Sequence, residues 1–73
     1  MDETLDLRGL KCPLPAMLAK KALARLSPGT ALIVLADDPL AVVDIPHMCH
    51  GEGHAVDNVT LQDGYTEFRL QRR

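Results

Sequence analysis

Thr30 to Ala36, read as Thr-Ala-Leu-Ile-Val-Leu-Ala, is a continuous apolar run of strand length in a chain of 73 residues. A run that short and that apolar predicts a central strand, and the rest of the chain must be arranged to cover it. Asp37-Asp38-Pro39 breaks the run. Ahead of it, Thr4 to Arg8 alternates, with Leu5 and Leu7 on one side and Asp6 and Arg8 on the other, the pattern of a half-buried strand. Gly9-Leu10-Lys11 then turns into Cys12-Pro13-Leu14-Pro15, and a helical stretch runs to about Leu26, where Ser27-Pro28-Gly29 stops it. A second helix is expected from Leu40 to about Gly51, kinked or restarted at Pro46. Ala55 to Leu61 and Tyr65 to Gln71 read as two strands joined by a hairpin turn across Gln62-Asp63-Gly64.

The order is thus β-α-β-α-β-β, an α+β chain. Alternation in the outer strands leaves one sheet face wet, so both helices belong on the other face of a two-layer α/β sandwich, with a right-handed first βαβ unit. No repeat, linker or low-complexity segment interrupts residues 1–73, which are expected to form one domain. The core must be aliphatic, since 47% of residues are apolar but there is one Tyr, one Phe and no Trp. At this length roughly 60% of the unfolded surface can be buried, so modest stability is expected.

The net charge of −2 hides an asymmetry. All eight Lys and Arg lie at or before Arg25 or at or after Arg69, and every charged residue between is acidic. That argues for a basic patch near the start of the chain rather than a general nucleic-acid binder. An RNA-binding or regulatory module is the alternative reading, opposed by the negative charge, the few aromatics and the lack of a basic stripe. The acidic start is unlike a signal peptide, and no apolar run approaches the ~20 residues that span a bilayer. Two cysteines are too few for a disulfide scaffold, so free thiols in a reducing cytoplasm are expected, with no membrane association.

Cys12-Pro13-Leu14-Pro15 carries the most chemistry. With Cys12 as N-cap and Pro13 as first helical residue, proline's fixed φ suits the helix and its missing N–H is not needed. Pro15 is tolerated for the same reason, and the Leu14 and Ala16 amides are the free donors nearest the sulfur. The positive end of the helix dipole, with Arg8 and Lys11 close in sequence, is expected to favour thiolate, the nucleophilic form. The competing reading is a cap chosen for size alone, although Ser, Thr, Asp and Asn are the preferred caps.

On the first helix, Leu18, Ala19, Ala22, Leu23 and Leu26 form one stripe of core contacts. Leu14 and Met17 fall instead beside Lys20, Lys21 and Arg25, which reads either as a docking surface for an acidic partner protein or as an ordinary solvated face. Cys49 shares a face with Val42 and Ile45 and reads as a buried core cysteine or as a resolving thiol. His47, His50 and His54 crowd around it, but their spacing matches no usual zinc pattern. Surface histidines at the negative end of the second helix are expected, and no metal. Asp37 and Asp38 close a strand and open a turn rather than forming an acid–base pair.

At Cys12-Pro13-Leu14-Pro15 the chain resembles the TusA (SirA-like) family of sulfur carriers. Leu5 to Pro13 resembles the family's opening strand and turn, and Asp37-Asp38-Pro39, Asp44-Ile45-Pro46 and Cys49 resemble its second signature. The resemblance implies a four-stranded mixed sheet with two helices. It also implies a Cys12 that accepts sulfane sulfur as a persulfide from a cysteine desulfurase or rhodanese and relays it to an acceptor protein. Such a chain is a sulfurtransferase partner, expected to be monomeric, needing no cofactor and no direct contact with nucleic acid. Leu14 stands where members tied to tRNA thiolation often carry Glu, which replaces a charge beside the sulfur with an apolar side chain, and the resemblance leaves the pathway open among tRNA thiolation, molybdenum cofactor, selenium handling and sulfur oxidation.

Overall fold

The computed structural model describes residues 3–73. Its elements are β1 (Glu3–Asp6), α1 (Leu14–Arg25), β2 (Ala31–Ala36), α2 (Ala41–Glu52), β3 (Ala55–Leu61) and β4 (Thr66–Gln71). The strands form one mixed sheet in the order β1-β2-β4-β3. β1 runs parallel to β2, while β4 is antiparallel to both β2 and β3. This is the expected α+β sandwich.

Strand alternation decides which face the helices cover. Leu32, Val34 and Ala36 of β2 and Thr66, Phe68 and Leu70 of β4 are buried, whereas Glu67, Arg69 and Gln71 face the other way. Pairing of Leu32 with Leu70 and of Val34 with Phe68 makes one continuous apolar surface. α1 lays Ala19, Ala22 and Leu23 on it, and α2 lays Ala41, Ile45 and Cys49. The core is aliphatic around a single fully buried ring, Phe68.

Two stripe assignments need correction. Leu18 and Val42 are exposed, because the buried rows run through Pro15, Ala19, Ala22 and Leu23 on α1 and through Ala41, Ile45 and Cys49 on α2. Each exposed residue sits one position off its row, a rotation of about 100°. Pro46 neither breaks nor restarts α2. As a proline it has no N–H to give the Val42 carbonyl one turn back, and Val42 is itself exposed.

Terminal geometry follows the turn residues. β1 ends at Asp6, yet the Leu7 amide still donates to the Leu35 carbonyl at 2.7 Å before the chain reverses at Gly9, φ 87°. α2 closes at Gly53, φ 81°, with the His54 amide donating to the Cys49 carbonyl (2.8 Å) and the Gly53 amide to that of His50 (3.3 Å). The hairpin is set by the Gln62 amide donating to the Tyr65 carbonyl at 2.8 Å. Among the described residues no helix is long and apolar enough to cross a membrane.

Candidate functional site

Because β1 and β2 are parallel neighbours, the loops leaving their carboxyl ends emerge side by side, the usual place for a site in an α/β sheet. The first loop carries Cys12; the second carries Asp37 and Asp38. The two acids tie the loops together. Both Asp37 carboxylate oxygens accept from the Gly9 amide, each at 3.0 Å. Asp38 Oδ2 accepts from the Cys12 amide at 2.5 Å while its Oδ1 accepts from the Leu40 amide at 3.2 Å. Asp38 is largely buried, and that single carboxylate fixes the cysteine's backbone against the start of α2.

The Cys12 side chain is exposed, and its thiol donates a hydrogen bond to Asp44 Oδ2 at 2.8 Å. Asp44 lies in the first turn of α2, where the positive end of the helix dipole favours a carboxylate. The hydrogen bond to Asp44 raises the thiol's pKa above its ordinary value; local desolvation and the negative charge of Asp44 and Asp38 add to it. This reverses the expectation of a thiolate-favouring setting. Pro13, not Cys12, is the N-cap, the Leu14 amide is taken by the Lys11 carbonyl at 2.9 Å, and the partner of the thiol is the Asp44 carboxylate.

Arg8 is also committed elsewhere. Its Nε and Nη2 donate to the two Asp6 carboxylate oxygens at 2.9 and 2.8 Å, and its guanidinium lies 4.9 Å from the centre of the Tyr65 ring. β1 ends at Asp6 and Arg8 lies in the turn that follows, where its amide also donates to Asp6 Oδ1 at 3.1 Å, so the pairing is local. Arg8 in turn holds the Asp6 carboxyl down at about 2. Lys11, next to Cys12 in the chain, is exposed.

Pro15 is buried, while Pro13 is exposed. Leu14 and Met17 are 44% and 58% exposed, with Lys20, Lys21 and Arg25 exposed further along α1. Lys20 Nζ also lies 3.5 Å from Glu52 Oε2, linking the middle of α1 to the last residue of α2. Leu40 and Val43 are exposed on the α2 side, so apolar side chains lie on both helices that border Cys12.

Cys49 is fully buried in the core, and burial pushes its thiol up to about 11. Of the two readings of this residue, the structure has the core cysteine. His47 and His50 are exposed on α2. His54 departs from the expected surface cation: it is partly buried, its Nδ1 accepts from the Arg73 amide at 3.1 Å, and desolvation and then Arg72 lower its pKa. No group of three or more His, Cys, Asp or Glu among the described residues is arranged to hold a metal ion. Sequence reasoning gave Asp44 no role beyond its place in a signature, and gave Asp37 and Asp38 a turn and a place in the same signature. The signal available was positional: acids at the carboxyl end of a strand beside the one that leads to the cysteine.

Fold and site together define a class: a small two-layer α/β protein that presents one thiol at its surface, where a second macromolecule can reach it. This chain belongs to the sulfurtransferase TusA family, whose profile matches residues 3–72. It is 45% identical over 71 residues to a candidate sulfur carrier protein of Neisseria meningitidis serogroup A, covering 97% of this chain and 96% of that one. It is 35% identical over 71 residues to the sulfur carrier protein TusA of Buchnera aphidicola, covering 97% and 90%. The crystal structure of a SirA-like protein from Desulfitobacterium hafniense superposes with a TM-score of 0.85 at 32% identity, covering 94% of this chain and 95% of that one. Membership in a sulfur-carrier family implies a sulfur donor and a sulfur acceptor as partners.

Proposed function

We propose that this chain carries sulfane sulfur as a persulfide on Cys12, loaded by a cysteine desulfurase or rhodanese and unloaded onto an acceptor protein. The observation that carries this reading is that Cys12 is the exposed one of two thiols and is pinned through its amide by a buried carboxylate. In loading, the Cys12 sulfur attacks the outer sulfur of the donor's persulfide. A new S–S bond forms on Cys12, the donor's S–S bond breaks, and the donor cysteine leaves as thiolate and regains a proton. No external oxidant or reductant is consumed. Leu14 and Met17 form the apolar part of the docking face and Lys20, Lys21 and Arg25 its basic part, suited to an acidic partner surface.

Intact mass after incubation with a cysteine desulfurase and cysteine, followed by desalting without reductant, tests the proposal. Wild type and Cys49→Ser are expected to gain one sulfur atom, removable by reductant, and Cys12→Ser to gain none. Loading of Cys12→Ser to wild-type stoichiometry overturns the assignment.

A further inference from the structure

We propose that Asp44 is the proton-handling residue of the transfer: it holds Cys12 as an oriented thiol in the free carrier and receives that proton when the sulfur attacks. The inference rests on Cys12 being the sulfur-bearing residue. The two residues are 32 positions apart, on different elements, yet Sγ and Oδ2 are 2.8 Å apart. That contact is specified from both sides, since Asp38 pins the Cys12 backbone while also accepting from the Leu40 amide at the start of α2. One turn into α2, Asp44 is held by the hydrogen bond its amide donates to the Leu40 carbonyl at 2.9 Å. The carboxylate therefore reaches the sulfur from a rigid base.

Other charges near the sulfur do not supply the same service. Asp38 spends its oxygens on two amides and Asp37 on the Gly9 amide. Arg8 is paired with Asp6, and Lys11 is the exposed neighbour in the chain. His47, one turn past Asp44 on α2, is exposed. On α1 no acidic residue occupies the first turn, and its first basic residue, Lys20, is paired across to Glu52.

The chemistry balances as follows. At rest Cys12–SH donates to Asp44–COO⁻. During attack on a donor persulfide the S–H bond breaks and the proton passes to Asp44 Oδ2, while the electron pair left on Cys12 Sγ forms the new S–S bond. The donor's S–S bond breaks with its pair on the donor cysteine, which takes up the proton from Asp44. The sulfane sulfur changes hands without a change of oxidation state.

The test is the pH dependence of Cys12 alkylation by iodoacetamide, read by peptide mass, for wild type and the near-isosteric Asp44→Asn. The wild-type profile is expected to lie at higher pH than that of an unstructured cysteine peptide. Asp44→Asn should shift it to lower pH, making alkylation at neutral pH about tenfold faster for a one-unit shift. Under a desulfurase, the same variant is expected to load more slowly than wild type despite its freer thiolate. A wild-type profile at or below that of the peptide overturns the proposal without any variant. An unshifted Asp44→Asn profile, or loading that speeds up in step with alkylation, overturns it too. These outcomes are independent of the carrier assignment, because failure of wild type to gain sulfur would sink that reading while leaving the alkylation profiles intact.

Discussion

Single side chains decide how the Cys12 thiol is presented, Asp38 among them. Its carboxylate satisfies the amides of Cys12 and Leu40 in a largely buried position. Removing it leaves two donors without their partner, so Asp38→Ala is expected to cost about 1–3 kcal/mol of stability in urea denaturation. The same variant should slow sulfur loading further than that destabilisation explains, because the Cys12 backbone loses its anchor. An unchanged denaturation midpoint would contradict the account. At this scale the sequence was only partly legible. The pairing of Asp6 with Arg8 is local, an Asp accepting from the amide and guanidinium of the residue two positions on, and reading it that way would have taken Arg8 away from the sulfur at once. The approach of Asp44 to Cys12 has no local signature, since it depends on α2 docking beside the loop that precedes α1.

At the scale of elements the reading from residues went further, because breakers and alternation act locally. The bounds of β3 were expected as found, those of β2 and β4 differed by one residue at one end, and the hairpin turn fell where Gln62-Asp63-Gly64 put it. The start of α1 was misplaced: two prolines after a cysteine suggest a cap at Cys12, whereas the helix begins at Leu14 with Pro13 as N-cap. The end of α2 offers a test with opposite signs. Gly51 lies within the helix and Gly53 closes it at φ 81°, and a Cβ at either place meets no atom within 4 Å. Contacts are thereby removed from the comparison, leaving backbone conformation. Gly51→Ala is expected to stabilise by about 0.5–1 kcal/mol. Gly53→Ala should destabilise by about 1 kcal/mol or more, since alanine resists positive φ. Matched urea titrations measure both, and equal signs would show that the αL turn does not close the helix.

For the molecule as a whole, a chain of this length has about 4–11 kcal/mol of stability to work with, so one buried titratable group is felt globally. Cys49 is such a group. Burial raises its thiol from 9.0 to about 11, which means that the fold favours the protonated form. The contribution is complete below pH 9, where the unfolded thiol is also protonated, and is lost as the pH rises through about 11. Cys49→Ser removes the titration, so the stability difference between wild type and variant should be constant below that window and change across it in the direction that favours the variant. Guanidinium titrations at several pH values read this directly. A constant difference throughout would mean that Cys49 ionises as readily in the folded chain as in the unfolded one.

The burial of Cys49 also has a kinetic meaning. On the proposed assignment of the carried sulfur to Cys12, the second sulfur is sealed in the core, so a loaded Cys12 has no accessible thiol in its own molecule to discharge onto. Occupancy is then a two-level quantity, empty or loaded, and each step between the levels is an encounter with another molecule. The steady-state loaded fraction becomes a ratio of two second-order rates, supply against withdrawal, with no first-order drain through an internal disulfide. Opening the core enough to expose Cys49 would add that drain, and the carrier's memory of its last encounter would shorten accordingly.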